Sequence, residues 1–190
     1  HLDGTSTETD LPLRWDTRSN IAWKLRMPGL SAATPIVWND HVFLNVAEGD
    51  TVLLWAVDRM SGAVRWKRTL GGGNRFERKH NMSSPPPVTD GTRVWAMSGN
   101  MVLRAFDFDG REIWNRDFQR DYGTLGTQYG YGSSPLLDGG ALYVQVLHGT
   151  YTDAPSYVLK IDGSTGRTLW KVARPTPARF ESDRKSTRLN

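Results

Sequence analysis

Short apolar runs alternate with polar turns along most of the chain, and they predict an all-β protein. Val, Leu, Trp and Tyr dominate the runs, and Asp, Asn and Gly lie between them, as is typical of antiparallel strands and hairpins. No stretch has a convincing helical pattern. The predicted strands form three groups of four: 35–38, 42–47, 52–57 and 63–69; 87–89, 93–98, 102–106 and 112–118; 135–137, 141–147, 157–161 and 168–173.

The second half of each group carries a recurring motif, in which an apolar strand leads to Asp, a Gly turn and a strand with Trp. The first copy has Ala56, Asp58, Gly62 and Trp66; the second has Ala105, Asp107, Gly110 and Trp114; the third has Asp162, Gly166 and Trp170. The second copy is one residue shorter before its Gly, and the third has Lys160 in place of Ala. Trp23 ends a similar apolar segment, and the four Trp are separated by 43, 48 and 56 residues.

A Ser-Pro or Thr-Pro pair stands before the first strand of each group, at Pro35, Pro85 and Pro135. Proline suits this place because the first residue of a strand need not donate to the ladder. Four antiparallel strands per period of about 40–50 residues are typical of a β-propeller blade. The predicted blades are 34–70, 85–118 and 133–174, within a partial propeller over 12–182 that also includes one strand of another blade, after an irregular segment at 1–11.

The repeat, written Ala-x-Asp-x-x-Thr/Ser-Gly-x-x-x-Trp, resembles the tryptophan-docking motif of pyrroloquinoline-quinone-like (PQQ-like) propellers. The resemblance implies that each Trp packs between blades on the Gly peptide of the next motif, and that the complete ring has seven or eight blades. The opening at 11–28 resembles the entry segment of bacterial secreted members, which implies a periplasmic or secreted protein. Residues 183–190 resemble a translated sequencing adapter, and we expect them to be artefactual.

This family includes both enzymes and binding proteins, so its fold does not decide the function. We expect a non-catalytic binding or scaffolding module, similar to the propeller subunit of the outer-membrane β-barrel assembly machinery. The alternative is part of a quinone-dependent alcohol or sugar dehydrogenase, which would hold PQQ and calcium. Whether the protein is an enzyme stays open, and no catalytic, cofactor-binding or metal-ligating residue is assigned.

The amino-acid composition bears on the choice between a binding module and a quinone-dependent dehydrogenase. The chain has no Cys, whereas the dehydrogenases that it resembles stack the quinone on a disulfide of adjacent Cys. The string from Asp107 to Gly110 is the nearest to a calcium loop, but it lies between two strands and is interpreted as a turn. The net charge is +4, and +2 without residues 183–190, so no nucleic-acid partner is expected. No apolar run approaches the roughly 18–20 residues of a membrane helix, so no transmembrane segment is expected.

Candidate binding residues lie in the loops that enter the predicted blades. Because the innermost strands of a propeller line its channel, these loops cluster at one mouth, where a protein partner or small ligand could bind. The candidates are His80, Asn81, Gln128, Tyr129, Tyr131 and His148. The alternative is that they satisfy backbone groups and fill the rim. Arg75, Arg78, Lys79 and His80 also form a basic loop that either meets an acidic partner or is simply solvated.

Overall fold

A computed structural model describes residues 9–77, 80–127, 130–148, 152 and 154–174. These residues form three antiparallel four-stranded sheets, one two-stranded sheet and one five-residue helix, so the all-β prediction is confirmed. We refer to the four-stranded sheets, in chain order, as blades 1, 2 and 3. No helix among the described residues has the length and apolar character needed to cross a bilayer.

Blade 1 contains β1 (Ile36–Trp38), β2 (His41–Glu48), β3 (Thr51–Asp58) and β4 (Val64–Gly71), side by side in chain order. A short hairpin follows, formed by β5 (Phe76–Glu77) and β6 (His80–Asn81). Blade 2 contains β7 (Val88–Thr89), β8 (Arg93–Met97), β9 (Val102–Asp107) and β10 (Glu112–Asp117), and the helix α1 (Phe118–Tyr122) comes next. Blade 3 contains β11 (Leu136–Asp138), β12 (Ala141–Val146), β13 (Tyr157–Asp162) and β14 (Thr168–Ala173).

The same strand register recurs in every blade. Paired positions across blade 1 are Ile36, Phe43, Ala56 and Trp66; across blade 2 they are Val88, Trp95, Ala105 and Trp114; across blade 3 they are Leu136, Tyr143, Lys160 and Trp170. Side chains at directly paired positions point to the same face of a sheet. The motif Trp is therefore the outermost member of a row that crosses each blade, apolar in blades 1 and 2 and interrupted by Lys160 in blade 3.

In the described part of the chain, three hydrophobic cores lie between successive layers. The core between blades 1 and 2 contains Phe43, Leu54 and Phe106, and the core between blades 2 and 3 contains Trp95 and Leu159. A third core packs the segment with Trp23, Leu25 and Met27 against the other face of blade 1, around Trp55. Since a sheet buries apolar side chains only where another layer covers them, stacking of blades accounts for these strands being apolar on both faces.

The short first strands meet at one edge of the stack, because β7 contacts both β1 and β11. This edge corresponds to the inner side of a propeller, where successive first strands line the axis. The Ser-Pro and Thr-Pro segments lead into these strands, so the loops before them converge.

Every predicted strand in the three blades is present, within two residues at each end. The strand predicted to end at Trp23 differs, because the described residues before β1 form only an isolated bridge between Asp16 and Ser19. The segment packs on blade 1 through side chains such as Trp23 and Leu25. Helix α1 was not predicted, since five residues are too short for a helical period. It begins where Asp117 accepts hydrogen bonds from the backbone N–H groups of Gln119 and Arg120.

Candidate functional site

Asn81, a candidate at the mouth, has both the nitrogen and the oxygen of its side-chain amide hydrogen-bonded within the protein. Its Nδ2 donates to the carbonyl of Leu30 at 2.6 Å, and its Oδ1 accepts from both the backbone N–H and the hydroxyl of Ser83. The backbone N–H of Asn81 donates to Ser84 Oγ. Asn81 is only 5% exposed, so it joins two entry loops and presents no amide group to a ligand. His80 lies beside it in β6 and is half-buried.

Tyr131 is buried in the core between blades 2 and 3, and its backbone N–H donates to the carbonyl of Gly99 at 2.9 Å. Its hydroxyl has no hydrogen-bond partner among the described residues. Burial, with a smaller contribution from Tyr157, raises the pKa of the Tyr131 phenol above its usual range, so the group stays neutral. Tyr131 thus contributes mainly apolar area, although its hydroxyl is an unused polar group inside the protein.

His148 is 5% exposed and is held from three directions. Its ring Nδ1 accepts a hydrogen bond from the backbone N–H of Gly126 at 3.0 Å. The backbone N–H of His148 donates to Ser156 Oγ at 2.9 Å, and the ring lies edge-on to Tyr157. Burial lowers the pKa of His148, and the positive charge of Lys171 lowers it further. The neutral imidazole, with its proton on Nε2, therefore closes a loop-to-loop contact. Gln128 and Tyr129 lie outside the described residues.

The structure therefore does not bring the described mouth candidates together as one open site. Asn81 belongs to the joint between blades 1 and 2, whereas Tyr131 and His148 belong to the region between blades 2 and 3. Asn45, which the sequence did not point to, has a similar role: from β2 its Nδ2 donates to the carbonyls of Pro85, just before blade 2, and of Met97 in β8. An Asn inside a buried strand is the signal that could have identified it, because a buried amide needs partners.

The motif Trp residues make a repeated contact between layers. Trp66 of blade 1 lies against Gly110 of blade 2, where an added Cβ would be 2.8 Å from the indole Cδ2. Trp23 lies in the same way on Gly62, and Trp114 on Gly166. All three glycines have φ between +72° and +79°, a left-handed conformation that glycine adopts at little cost. Trp170 meets no glycine among the described residues; it is 40% exposed and lies edge-on to Tyr143.

The three indoles that lie on glycines also donate their Nε1–H groups to backbone carbonyls in the turns beneath them. The acceptors are Arg59 for Trp23, Phe108 for Trp66 and Gly163 for Trp114, at 2.8–2.9 Å. Every acceptor is the residue directly after the motif Asp. The missing residue of the second copy therefore falls between the acceptor and the glycine, and the hydrogen bond is kept.

The motif Asp holds its turn in shape. In each copy the Gly N–H donates to the Asp carbonyl at 2.8–3.0 Å, which closes the turn under the indole. The Asp58 carboxylate also bonds to Arg65 and to Ser61, which lowers the pKa of Asp58 well below its usual range. Hydrogen bonds from Thr165 lower the pKa of Asp162. For Asp107 the burial of the carboxyl opposes ionisation, but hydrogen bonds from Arg111 outweigh it and the pKa is lowered.

At two of these contacts, an Arg two residues after the Trp donates a further hydrogen bond to the next blade. The sequence interpretation did not identify these arginines. Arg68 donates to the carbonyl of Gly110, and Arg116 donates to the carbonyl of Gly166, each at 2.5 Å. Trp-x-Arg at the end of a motif is the signal that could have found them. The corresponding positions beside Trp23 and Trp170 are Leu25 and Val172. Two further indoles were missed: Trp38 lies on Gly91, and Trp95 donates to the Gly163 carbonyl that Trp114 also uses.

Comparison with known families now gives the architecture a name. The family model described as "Outer membrane protein assembly factor BamB" matches residues 49–188. The chain belongs to this PQQ-like β-propeller repeat family. The match begins at the turn before β3 and includes the three motif copies in blades 1, 2 and 3. No curated protein sequence matches the chain.

Solved structures with the PQQ-like propeller fold include both enzymes and an assembly factor. A europium-containing methanol dehydrogenase is 16% identical with a TM-score of 0.62, over 82% of this chain and 27% of the other. BamB from Moraxella catarrhalis is 21% identical with a TM-score of 0.52, over 82% and 43%. Quinohemoprotein alcohol dehydrogenase from Comamonas testosteroni is 16% identical with a TM-score of 0.51, over 77% and 21%. The chain thus spans less than half the length of each, and at these identities the likeness shows the fold.

The calcium-like string at Asp107 does not have the free carboxylate oxygens of a calcium loop. No three His, Asp or Glu side chains among them are grouped so that they could hold a metal ion. The Asp107 carboxylate, in the nearest calcium-like string, accepts Arg111 N–H at one oxygen and the Arg111 guanidinium at the other. One oxygen is thus engaged by a backbone N–H and the other by a guanidinium within the same turn, where a Ca²⁺ ligand would need them free.

Proposed function

We propose that this protein is a non-catalytic binding or scaffolding module that acts in the periplasm or as a secreted protein. The observation that carries the proposal is that Asn81 and His148, the candidate polar residues at the mouth, use their hydrogen-bonding groups to join loops. Because these two described side chains are buried and already paired, neither offers its polar groups to a small substrate. Surfaces at the loop ends of a rigid blade stack remain for partner binding.

The family description supports a protein partner. It names an outer membrane protein assembly factor, and the Moraxella catarrhalis structure carries the same name. By analogy we propose a role in holding or presenting other proteins near the outer membrane, with no nucleic-acid partner and no bound cofactor. This step uses family likeness, whereas the binding role rests on the described residues.

The second candidate function is a PQQ- and calcium-dependent dehydrogenase. The TM-score of 0.62 with a methanol dehydrogenase favours it, although at 16% identity this likeness concerns the fold. The chain has no Cys for a disulfide beneath the quinone, and Arg111 engages the carboxylate of Asp107. The balance of these observations supports the binding module.

One pair of measurements separates the two functions. The purified protein is titrated with PQQ in the presence of Ca²⁺, followed by Trp fluorescence, and is assayed for dye reduction with primary alcohols and aldoses. In parallel, a partner captured from the source organism is purified and mixed with the protein, and the complex is sized by light scattering. We expect no saturable quinone binding and a stoichiometric complex. Ca²⁺-dependent dye reduction, or failure to form any complex, would overturn the proposal.

A further inference from the structure

A cavity of about 530 Å³ lies in the irregular segment that precedes Trp23. Its volume is within the range of small-ligand sites, which is about 300–1,000 Å³. Its lining residues differ from the residues that join the blades and from those of the candidate mouth. The cavity is therefore a separate surface feature, lined by Leu13, Arg14, Trp15, Asp16, Ser19 and Asn20.

Hydrogen bonds fold this segment back on itself around the cavity. The N–H groups of Asp16 and Ser19 donate to each other's carbonyls at 3.2 and 3.4 Å. Asp16 Oδ1 accepts the backbone N–H of Arg18 at 2.7 Å, and Asn20 Nδ2 donates to the carbonyl of Arg14 at 2.7 Å. These contacts hold the two ends of the turn together, so the backbone around the cavity is arranged before a ligand binds, which lowers the entropy cost of binding.

Two charges of opposite sign line the cavity and do not pair with each other. Among the described residues, the guanidinium of Arg14 has no ion pair or hydrogen bond, and the carboxylate of Asp16 bonds only to the Arg18 N–H. A ligand that carries both an anionic and a cationic group complements this arrangement, with its anion at Arg14 and its cation at Asp16. Arginine suits a phosphate in particular, because its planar guanidinium can donate two parallel hydrogen bonds.

Trp15 lies between these two charged residues in sequence and gives the cavity an aromatic wall. Trp15 is 67% exposed, whereas Trp95 and Trp114 are at most 9% exposed because they pack between blades. The face of an indole attracts a cation such as an ammonium group. An ammonium group that enters the cavity would therefore be attracted by both the Trp15 ring and the Asp16 carboxylate.

The rim of the cavity is apolar and the segment around it is neutral. Leu13 lines the cavity and is 95% exposed, and Leu11, two residues earlier, is 61% exposed. Leucine and tryptophan side chains beside a polar site suit the interface of a bilayer, where aromatic rings lie at the level of the headgroups. Residues 9–20 contain two Arg and two Asp, whereas binding to anionic lipid requires a cluster of about four to eight basic residues.

We propose that this cavity binds the headgroup of a zwitterionic phospholipid at a membrane surface. The phosphate is held by Arg14, the ammonium group lies between Trp15 and Asp16, and Leu11 and Leu13 contact the apolar region beneath the headgroups. A membrane is the source of this headgroup because a free zwitterion would leave both leucines in water. The proposal is independent of the protein-binding function, which concerns the loop ends of the blades.

The test measures co-sedimentation of the whole chain with sucrose-loaded vesicles of phosphatidylcholine, of phosphatidylcholine with phosphatidylethanolamine, and of phosphatidylglycerol. Free phosphocholine is added in a parallel series to distinguish a soluble zwitterion from a lipid headgroup. The variants are Trp15→Ala, Arg14→Gln and Asp16→Asn, the last of which keeps an oxygen that can accept from Arg18. Thermal melting checks that each variant folds.

Two matched controls remove similar side chains from other exposed places. Met60→Ala removes an apolar side chain that is 74% exposed in the turn between β3 and β4. Arg120→Gln removes a guanidinium whose side chain is 71% exposed. We expect both controls to bind zwitterionic vesicles within about twofold of wild type, because neither residue is near the cavity in sequence or lines it.

We expect the wild type to bind zwitterionic vesicles more strongly than phosphatidylglycerol vesicles, and each cavity variant to bind them about fivefold or more weakly. Equal binding by Trp15→Ala and wild type, or stronger binding to phosphatidylglycerol, would overturn the proposal. Loss of binding in Trp15→Ala without any loss in Arg14→Gln and Asp16→Asn would overturn the headgroup assignment. Saturable binding of free phosphocholine without binding to any vesicle would overturn the membrane as its source.

Discussion

The indole of Trp66 in blade 1 covers Gly110 in blade 2, and its Nε1–H reaches the carbonyl of Phe108 at 2.8 Å. The contact combines apolar area, one hydrogen bond and a glycine with φ of +79° that leaves room for the ring. Trp23 and Trp114 repeat the arrangement on Gly62 and Gly166. We propose that these residues dock each layer on the next, and that this contact keeps the binding loops in fixed relative positions.

Replacement of Trp66 tests the energetic weight of this contact. We expect Trp66→Phe to lower the free energy of unfolding by about 1 kcal/mol, since the hydrogen bond to Phe108 is lost. We expect Trp66→Ala to lower it by about 3 kcal/mol, because much of the buried ring area is lost too. Urea denaturation measures both. The matched control is Trp15→Ala: Trp15 is 67% exposed, and its loss should change stability by less than about 0.5 kcal/mol. Equal costs for Trp66→Ala and Trp15→Ala would rule out docking by Trp66.

Ala substitutions at two glycines with positive φ distinguish the cost of backbone strain from the cost of close packing. Gly110 and Gly49 have φ of +79° and +58°, but only Gly110 has an indole above it; nothing lies within 4 Å of a Cβ added to Gly49. We expect Gly49→Ala to cost about 1 kcal/mol through the left-handed backbone alone. Gly110→Ala should cost clearly more, about 3 kcal/mol, because the ring must move. Equal denaturation midpoints for Gly110→Ala and Gly49→Ala would show that the indole contact does not contribute to stability.

Arg116 should stabilise the joint between blades 2 and 3. Its guanidinium donates to the Gly166 carbonyl and pairs with Asp121 at 2.6 Å, and its side chain is 22% exposed. We expect Arg116→Met to cost about 1.5 kcal/mol, the scale of a hydrogen bond from a charged group. Arg120→Met is the control, since Arg120 is 71% exposed and contacts Asp121 only at 3.5 Å. A cost for Arg116→Met no larger than that of the control would contradict this role.

His148 should make stability depend on pH. Its pKa in the folded protein is lowered from 6.5 by burial and by Lys171, so the unfolded chain binds the proton more readily. The stabilisation is complete above pH 6.5 and is lost as the pH falls from there toward the lowered value. We expect the wild type to lose more stability between pH 7.5 and 5 than His148→Gln, whose amide oxygen can accept from Gly126 without titrating. Urea midpoints at both pH values measure this; parallel losses would exclude His148 as the cause.

The sequence predicted the blades well because each strand is specified locally. Apolar runs, Pro before the first strand and Gly with positive φ after each motif Asp all lie close in sequence to the structure they determine. Trp66 and Gly110 could be paired in advance only through the family resemblance, since 44 residues separate them.

The candidate site was harder to predict because its residues act across blades. Asn81 had the composition of a binding residue, but its amide holds Leu30, and no local pattern reveals that partner. Arg68 and Arg116 look like ordinary surface cations in the sequence, yet they reach carbonyls in the next blade. Arg75 likewise donates to the side chain of Asn100, 25 residues further along the chain, a partner that no local pattern reveals.

A double-mutant cycle between Trp66→Ala and Gly110→Ala, measured by urea denaturation, tests most directly the claim that the indole docks on this glycine. Removal of the ring also removes the atoms that an added Cβ would meet, so the second substitution should cost less in the absence of Trp66. We expect the double variant to lose less unfolding free energy than the two single variants lose together, by about 1–2 kcal/mol. Losses that add within about 0.3 kcal/mol would contradict the docking of blade 1 on blade 2 through these two residues.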